Sequence, residues 1–152
     1  MARIVLSKKI EATPSAVFAV FSDFANAAGR IKAITKLEIL TPGPIGVGTR
    51  FKETRVMFGK DCTEEMQITA FDPGRSYEIT CHSCGAEYRT IFHFAQDGDG
   101  TRVDAEFSTR ATSFWAKLMA PLGWMMKGMM KKCLQQDLDD LQKVAESGVP
   151  VG

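Results

Sequence analysis

The sequence predicts an α+β fold in which a curved antiparallel sheet is covered on its concave face by one long C-terminal helix. The first observation is a series of strand-like segments, joined by hairpin turns, that fills most of the chain up to about residue 111. The second is a methionine-rich segment with helical periodicity over residues 114–145. Because a long amphipathic helix must bury its apolar side, we expect it to pack across the concave face. Any space left between helix and sheet would form an apolar pocket.

The composition is that of an ordinary globular protein. The chain has 152 residues, 45% of them hydrophobic and 24% charged, so one domain can bury its own core. We expect a single domain over residues 1–146 and a flexible tail over 147–152. The formal net charge of +1 argues against a nucleic-acid binder. Because the chain has neither a signal peptide nor an apolar run long enough to cross a membrane, we expect a cytoplasmic protein with reduced thiols.

The first thirty residues predict a strand followed by two short helices. Residues 3–12 mix β-branched and polar side chains, as a strand does. Thr13 and Pro14 favour a helix start, with a helix running to residue 21, because threonine caps helices and proline suits the first turn. A second short helix is predicted from Asp23 to about residue 28, where Gly29 would end it.

Six further strands are predicted, at residues 33–40, 49–57, 61–71, 76–82, 86–95 and 101–111. The strongest turn signals between them are Asp72-Pro73-Gly74-Arg75 and Asp97-Gly98-Asp99-Gly100. The loop over residues 41–48 is rich in glycine and proline but lacks the lysine and the following helix of a phosphate-binding loop.

Alternation along these strands predicts one apolar face and one polar face. Glu53 and Arg55 fall on the apolar face, which we place inward. A bulge would invert this assignment, most readily within residues 62–71. The apolar side chains placed inward include Phe51, Met66, Ile68, Tyr77, Ile79, Tyr88, Phe92, Phe94, Val103, Ala105 and Phe107.

The terminal helix is predicted to place an apolar stripe against the sheet. Pro121 and Gly123 interrupt its start and predict a bend there. Methionine adapts to irregular neighbours, so a methionine cluster facing a curved sheet suits a pocket whose ligand varies in shape. The alternative is a filled core without a pocket. The predicted lining consists of Phe51, Ile68, Ile79, Tyr88, Phe92 and Phe107 from the sheet, and of Leu122, Met126, Met129 and Met130 from the helix.

Three polar side chains are candidates for orienting a ligand or for catalysis. Glu53 and Arg55 would form a pair that orients a ligand or moves a proton, or else a structural ion pair. Tyr88 would bind a carbonyl or act as an acid, or else serve as an ordinary cross-strand aromatic. The only histidines, His82 and His93, fall on the polar face, which disfavours a nucleophile–histidine arrangement.

The cysteines do not predict a metal site. Cys81 and Cys84 have the spacing of half a zinc knuckle, but the sequence contains no second pair of this kind, and Cys62 and Cys133 stand alone. We therefore expect a hairpin turn that contains thiols, with no metal and no cofactor.

The chain contains, in this order, the segments IEATPSAVF (10–18), DF (23–24), GVG (46–48), ITAFDPGR (68–75), GTRV (100–103), AP (120–121) and residues 138–146. In their order and spacing these segments resemble the polyketide cyclase/dehydrase and lipid-transport superfamily, which is related to START domains and to the plant pollen-allergen fold. The resemblance implies a helix-grip fold: a seven-stranded curved antiparallel sheet around a long C-terminal helix, with two short helices after the first strand. It also implies a hydrophobic cavity, but no single reaction. Residues 25–31 depart from many relatives in having neither proline nor tryptophan.

Three functions follow as expectations. The first is binding or transport of a small hydrophobic or amphipathic molecule in a cavity between the sheet and the C-terminal helix. The second is a cyclase or dehydratase in which Arg55 or Tyr88 stabilises enolate charge and Glu53 moves protons. The third is peripheral docking on an anionic membrane or a protein. The residues expected to dock are Phe114, Trp115 and Trp124 with the methionine run, aided by Lys117 and Lys127. The alternative is that these side chains pack at the mouth of the pocket. The oligomeric state is left open.

Overall fold

The seven-stranded antiparallel sheet and the long terminal helix predicted from the sequence are both present. The computed structural model describes residues 2–57, 59–83, 85–111 and 127–148. The elements in order are β1 (Ala2–Ile10), α1 (Pro14–Phe21), a 3-10 turn (Phe24–Asn26), α2 (Ala27–Arg30), β2 (Ile34–Ile39), β3 (Arg50–Met57), β4 (Lys60–Asp72), β5 (Ser76–Ser83), β6 (Ala86–Asp97), β7 (Gly100–Ala111) and α3 (Lys127–Ser147).

Strands β2 to β7 form a meander, and β1 pairs beside β7 at the end of the same open sheet. Their order in the sheet is β1-β7-β6-β5-β4-β3-β2, and every neighbouring pair is antiparallel. The turn predicted at Gly98 is confirmed, since β6 and β7 are joined by two residues and Gly98 has φ +59°. The long first strand lies beside the last, so β1 and β2 form the two edges.

A bulge lies in β4, within the segment where the sequence left the alternation least secure. The pairing of β4 with β5 shifts between Ile68 and Ala70. Because of this shift, both Ile68 and Phe71 point to the inner face. Ile68 is fully buried there, and the ring of Phe71 contacts that of Phe18 at a centroid distance of 5.5 Å.

The short helices after β1 cover one end of the concave face. Helix α1 coincides with its prediction, and the side chain of Thr13 caps it by accepting a hydrogen bond from the backbone N–H of Ala16. The prediction that Gly29 ends the second helix is wrong. Gly29 lies inside α2 without a positive φ, and the backbone turns extended only at Ile31, whose buried side chain anchors that point.

An aromatic cluster fills the covered end of the sheet. The ring of Phe24 stacks on Phe51 at 5.0 Å, and the ring of Phe21 meets Phe92 edge-on at 5.7 Å. The Tyr77 hydroxyl donates to the carbonyl oxygen of Phe21 at 3.2 Å, and burial raises the pKa of Tyr77. This end of the concave face is therefore packed core.

Helix α3 packs on the domain through the predicted apolar stripe. Leu138, Leu141 and Ala145 are buried, and Met130 and Leu134 pack against the core while partly exposed. The predicted beginning of this helix, including the bend expected at Pro121, lies outside the described residues. In the part of the chain that the structure describes, no helix is long and apolar enough to cross a membrane.

Candidate ligand-binding site

The concave face changes character along the strands that build it. On β6 and β7, Phe92 and Ala105 are buried at the end that α1 covers. Towards the other end of the same two strands, Tyr88, Thr90 and Phe107 are only half-buried. Because residues two apart on a strand point to the same side, these residues belong to one continuous inner wall. The wall is thus packed at one end and accessible at the other.

The accessible end is a row of paired residues on three strands. Ile79 of β5 pairs with Thr90 of β6, which pairs with Phe107 of β7. The rings of Tyr88 and Phe107 stack at 6.2 Å with an interplanar angle of 28°. Ile79 is half-buried like the others. Together these side chains form an apolar surface with a threonine hydroxyl near its middle.

The predicted lining residues separate into five groups. Phe51, Ile68 and Phe92 are on the inner face but buried within the core, at 1%, 0% and 9% exposure. Ile79, Tyr88 and Phe107 lie together on the accessible wall. Met130 packs against the core from α3. Met129 differs from the prediction, because 51% of its surface is exposed on the helix exterior. Leu122 and Met126 lie outside the described residues.

Beside the wall, an ion cluster joins β3 to α3. The Arg55 Nε atom lies 3.3 Å from Glu53 Oε2, and its Nη2 atom lies 2.8 Å from Asp137 Oδ2. All three side chains are less than one-fifth exposed. The prediction that Glu53 and Arg55 share the inner face and pair with each other is therefore confirmed. Asp137 is the partner that the sequence analysis missed.

The electrostatics of the cluster favour a permanently charged guanidinium. Burial opposes the charge on Arg55, but Asp137 and Glu53 outweigh it and hold the pKa of the guanidinium above its ordinary value. Burial also dominates at Asp137 and raises the pKa of its carboxyl, against the opposing effect of Arg55. The negative charges of Glu53 and Asp140 add to that rise. Asp137 therefore takes up a proton more readily than an ordinary aspartate does.

A further carboxylate faces the cluster from β4. Glu64 pairs in register with Glu53, and the Cys81 thiol lies 3.9 Å from the Glu64 carboxylate. Extending the alternation back from Met66 by one step would have placed Glu64 on the inner face. The inner wall thus combines an apolar row with a polar corner at β3 and β4.

The histidines and cysteines of the described ranges do not come together as metal ligands. His82 and His93 are exposed on the outer face, as predicted. Among the described residues, Cys62, Cys81 and Cys133 form no disulfide bond, and no three histidine, cysteine or acidic side chains lie close enough together to hold a metal ion.

Comparison with known proteins gives one family match. The model of a family described as polyketide cyclase / dehydrase and lipid transport matches residues 1–146. No curated protein sequence matches the chain.

Several solved structures share the fold along nearly the whole chain. Ara h 8.0201 is 18% identical with a TM-score of 0.78, and the match covers 97% of this chain and 99% of that one. TTHA0849 from Thermus thermophilus is 19% identical with a TM-score of 0.75, covering 98% and 100%. The di-domain ARO/CYC StfQ from the steffimycin biosynthetic pathway is 12% identical with a TM-score of 0.78, covering 97% and 52%. This chain therefore spans about half of StfQ. Because the sequence identities are below 25%, these structural matches establish a shared fold and nothing more.

Proposed function

This chain belongs to the polyketide cyclase / dehydrase and lipid transport family, and from that premise we propose that it binds a small hydrophobic or amphipathic molecule between the sheet and the terminal helix. Binding of this kind would serve the transport or handling of a molecule that water dissolves poorly. The resemblance drawn from the sequence motifs is confirmed by the family match, whereas the binding itself is our inference.

The observation that carries the proposal is the half-buried apolar row on the inner wall. Ile79, Tyr88 and Phe107 stay accessible on the concave face while Phe92 and Ala105, on the same strands, are buried. An apolar ligand would remove this row from water, which favours binding by about 25 cal/mol per Å² of apolar area. We expect Leu122 and Met126, from the segment that leads into α3, and Met130, from α3 itself, to line the opposite side.

The polar corner would orient the ligand. Glu53 and Arg55 lie on the inner face beside the apolar row, and Tyr88 contributes a phenol within the row itself. A ligand with one polar end would therefore place that end towards Glu53, Arg55 or Tyr88 and its apolar body along Ile79 and Phe107. An amphipathic molecule suits this arrangement better than a pure hydrocarbon, because it satisfies the polar groups that line the wall.

The first test is native mass spectrometry of the protein purified from its own host, followed by denaturing extraction of the bound material. We expect a co-purifying lipid, isoprenoid or polyketide in stoichiometric amount. A protein that carries nothing and also fails to bind a fluorescent fatty-acid probe would contradict the proposal.

A second candidate function is that of a polyketide cyclase or dehydratase. The observation that favours it is the half-buried cluster of Glu53, Arg55 and Asp137, which offers a fixed positive charge beside a carboxyl with a raised pKa. In such an enzyme Arg55 or Tyr88 would stabilise enolate charge and a carboxyl would move the proton.

Substitution of Tyr88, in the apolar row, separates the two functions. Tyr88→Phe keeps the ring and removes only the hydroxyl, so a binder should lose at most a few-fold in affinity. An enzyme that uses the hydroxyl should instead lose at least about a hundredfold in turnover of the extracted molecule, the usual contribution of general acid–base groups. Unchanged turnover would remove Tyr88 from the catalytic candidates.

The expectation of a cytoplasmic location stays a prediction. Among the described residues, Cys62, Cys81 and Cys133 form no disulfide bond, as is usual for proteins of reducing compartments. Cell fractionation with an antibody against the protein would test it.

A further inference from the structure

Helix α3 divides into two halves of opposite charge, and the half that carries carboxylates is tied to the domain. Besides the Asp137–Arg55 pair, Asp139 binds the Lys8 ammonium of β1. The carboxylate of Asp140 accepts from the backbone N–H of Lys32 at 3.0 Å. The carboxylate of Glu146 accepts from the backbone N–H of Glu11 at 2.8 Å. The acidic half of α3 is therefore anchored at four points.

The first half of α3 carries lysines that point to solvent. Lys131 and Lys132 are exposed, and neither forms an ion pair within the described ranges. No acidic residue precedes Asp137 on this helix. Met129, one turn before Lys132, leaves 51% of its surface in water. The lysines thus have no local partner and stand beside an exposed apolar side chain.

The two lysines share one face of the helix with Gly128 and two glutamines. The spacing i, i+3, i+4, i+7 and i+8, counted from Gly128, places these five residues on one side, where they line an open groove of about 430 Å³. Gly128 leaves the end of this groove without a side chain, and the lysine stems supply apolar walls under their charged heads. We call this surface, with Met129 at its margin, the basic face. The groove is lined by Gly128, Lys131, Lys132, Gln135 and Gln136.

The sequence that leads into the basic face extends the same charge pattern. Residues 107–136 contain no aspartate or glutamate. Because the whole chain has a formal net charge of only +1, this positive charge is segregated rather than general. The five basic residues in this stretch are Arg110, Lys117, Lys127, Lys131 and Lys132.

We propose that the basic face docks on the surface of an anionic phospholipid membrane. Lysines on flexible stems are attracted to anionic headgroups, and an exposed thioether on the same helix can enter the boundary between headgroups and acyl chains. An acidic protein would attract the lysines too, and binding to polyglutamate in place of vesicles distinguishes that partner from a membrane. The inference does not depend on ligand binding, and it concerns a surface outside the concave face.

The test is co-sedimentation of the full chain with vesicles of phosphatidylcholine alone and of phosphatidylcholine with phosphatidylglycerol at a ratio of 3:1. We expect binding to the anionic vesicles only, weakened by added salt. The variant Lys131→Gln/Lys132→Gln should bind these vesicles about thirtyfold more weakly, which corresponds to about 1 kcal/mol for each lysine near an anionic surface.

The matched control is Lys36→Gln/Lys60→Gln, which removes the same charge from exposed positions on β2 and β4. It should change vesicle affinity by less than about threefold. Equal weakening by both variants would mean a non-specific net-charge effect and would overturn the proposal. So would wild-type protein that ignores anionic vesicles. If that protein instead bound polyglutamate through Lys131 and Lys132, the partner would be an acidic protein.

Discussion

Arg55 illustrates how one side chain can join two elements that are far apart in sequence. Its guanidinium binds Glu53 two residues away on β3 and Asp137 on α3, with all three side chains less than one-fifth exposed. Taking charges out of water costs free energy that only good geometry and mutual pairing recover. Loss of a single member would therefore leave an uncompensated charge between β3 and α3.

Removal of the cation alone should be strongly destabilising. We expect Arg55→Met to lower the free energy of unfolding by about 3 kcal/mol, because two largely buried carboxylates lose their counter-charge. The triple variant Glu53→Gln/Arg55→Met/Asp137→Asn replaces the ions by neutral side chains of similar volume, and should lie within about 1 kcal/mol of the wild type. Urea unfolding measures both. Equal destabilisation in the single and triple variants would show that the charges are not coupled.

The pH dependence of stability should reveal the raised pKa of Asp137. Folding raises this pKa above its ordinary value of 3.8, so the folded chain holds the proton more tightly than the unfolded chain. The contribution of Asp137 to the free energy of unfolding therefore falls as pH rises from about 4 through the higher folded pKa. Urea unfolding at a series of pH values measures this effect. The free energy of unfolding of the wild type, minus that of Asp137→Asn, should decrease as the pH rises above about 4.

Asp139 provides a control, because its pKa is shifted in the opposite direction to that of Asp137. The hydrogen bond from Lys8 lowers the pKa of Asp139 below its ordinary value of 3.8. Its contribution is therefore present above about pH 4 and is lost as pH falls through the lower folded pKa. The difference between the wild type and Asp139→Asn should shrink on acidification. The same trend with pH in both variants would refute the assignment of Asp137.

At the level of single residues, alternation predicted the position of side chains but not their long-range partners. Glu53 and Arg55 fall on the inner face because they share the parity of Phe51, which needs only the strand period. Asp137 was missed because its pairing depends on how α3 lies across the sheet. A signal was present, since Asp137 lies at the border of the Met130–Leu134–Leu138 stripe, where an acidic residue needs a partner.

At the scale of elements, α3 owes its position to a small buried contact surface. Leu138 is 1% exposed and forms its centre, with Leu141 and Ala145 continuing towards the end of the helix. Because the acidic residues of this half are all engaged with the domain, packing and polar anchoring reinforce each other.

Truncation of the central leucine should therefore loosen the helix. We expect Leu138→Ala to lower the free energy of unfolding by about 3 kcal/mol, from lost apolar burial and the cavity that it leaves. Lys143→Ala, at an exposed position of the same helix, should change it by less than about 0.5 kcal/mol. Thermal and urea unfolding of both variants would test this. Similar small effects would mean that α3 contributes little to the fold.

Strand and helix boundaries were predictable where turn chemistry is strict. Gly98 needs a positive φ and marks the β6–β7 turn, and Thr13 with Pro14 marks the start of α1. The end of α2 was predicted wrongly because glycine permits a helix end without requiring one. There the burial of Ile31 decided where the chain leaves the helix.

At the scale of the whole molecule, the order of elements was sufficient to predict the architecture. Six hairpin-linked strands form a meander, and the first strand then pairs beside the last, which leaves one concave face for the long helix at the end of the chain. What the sequence could not decide is how that face divides into packed core and accessible wall. The division follows from where α1 and its aromatic side chains end, which is a property of tertiary packing.

Probe binding by the variant Thr90→Trp would decide whether the accessible half of the concave face holds a ligand. Thr90 lies in the middle of the half-buried row, between Ile79 and Phe107. If a ligand site is there, the indole fills it: the variant should lose binding of the fluorescent fatty-acid probe and keep the stability of the wild type. Gln67→Trp, on the exposed face of β4, should leave both unchanged. The contradicting result has two parts: the wild type binds no probe, and Thr90→Trp is destabilised by roughly 1–3 kcal/mol, as is typical of an overpacked core. Together they would show that the face is filled and holds no ligand.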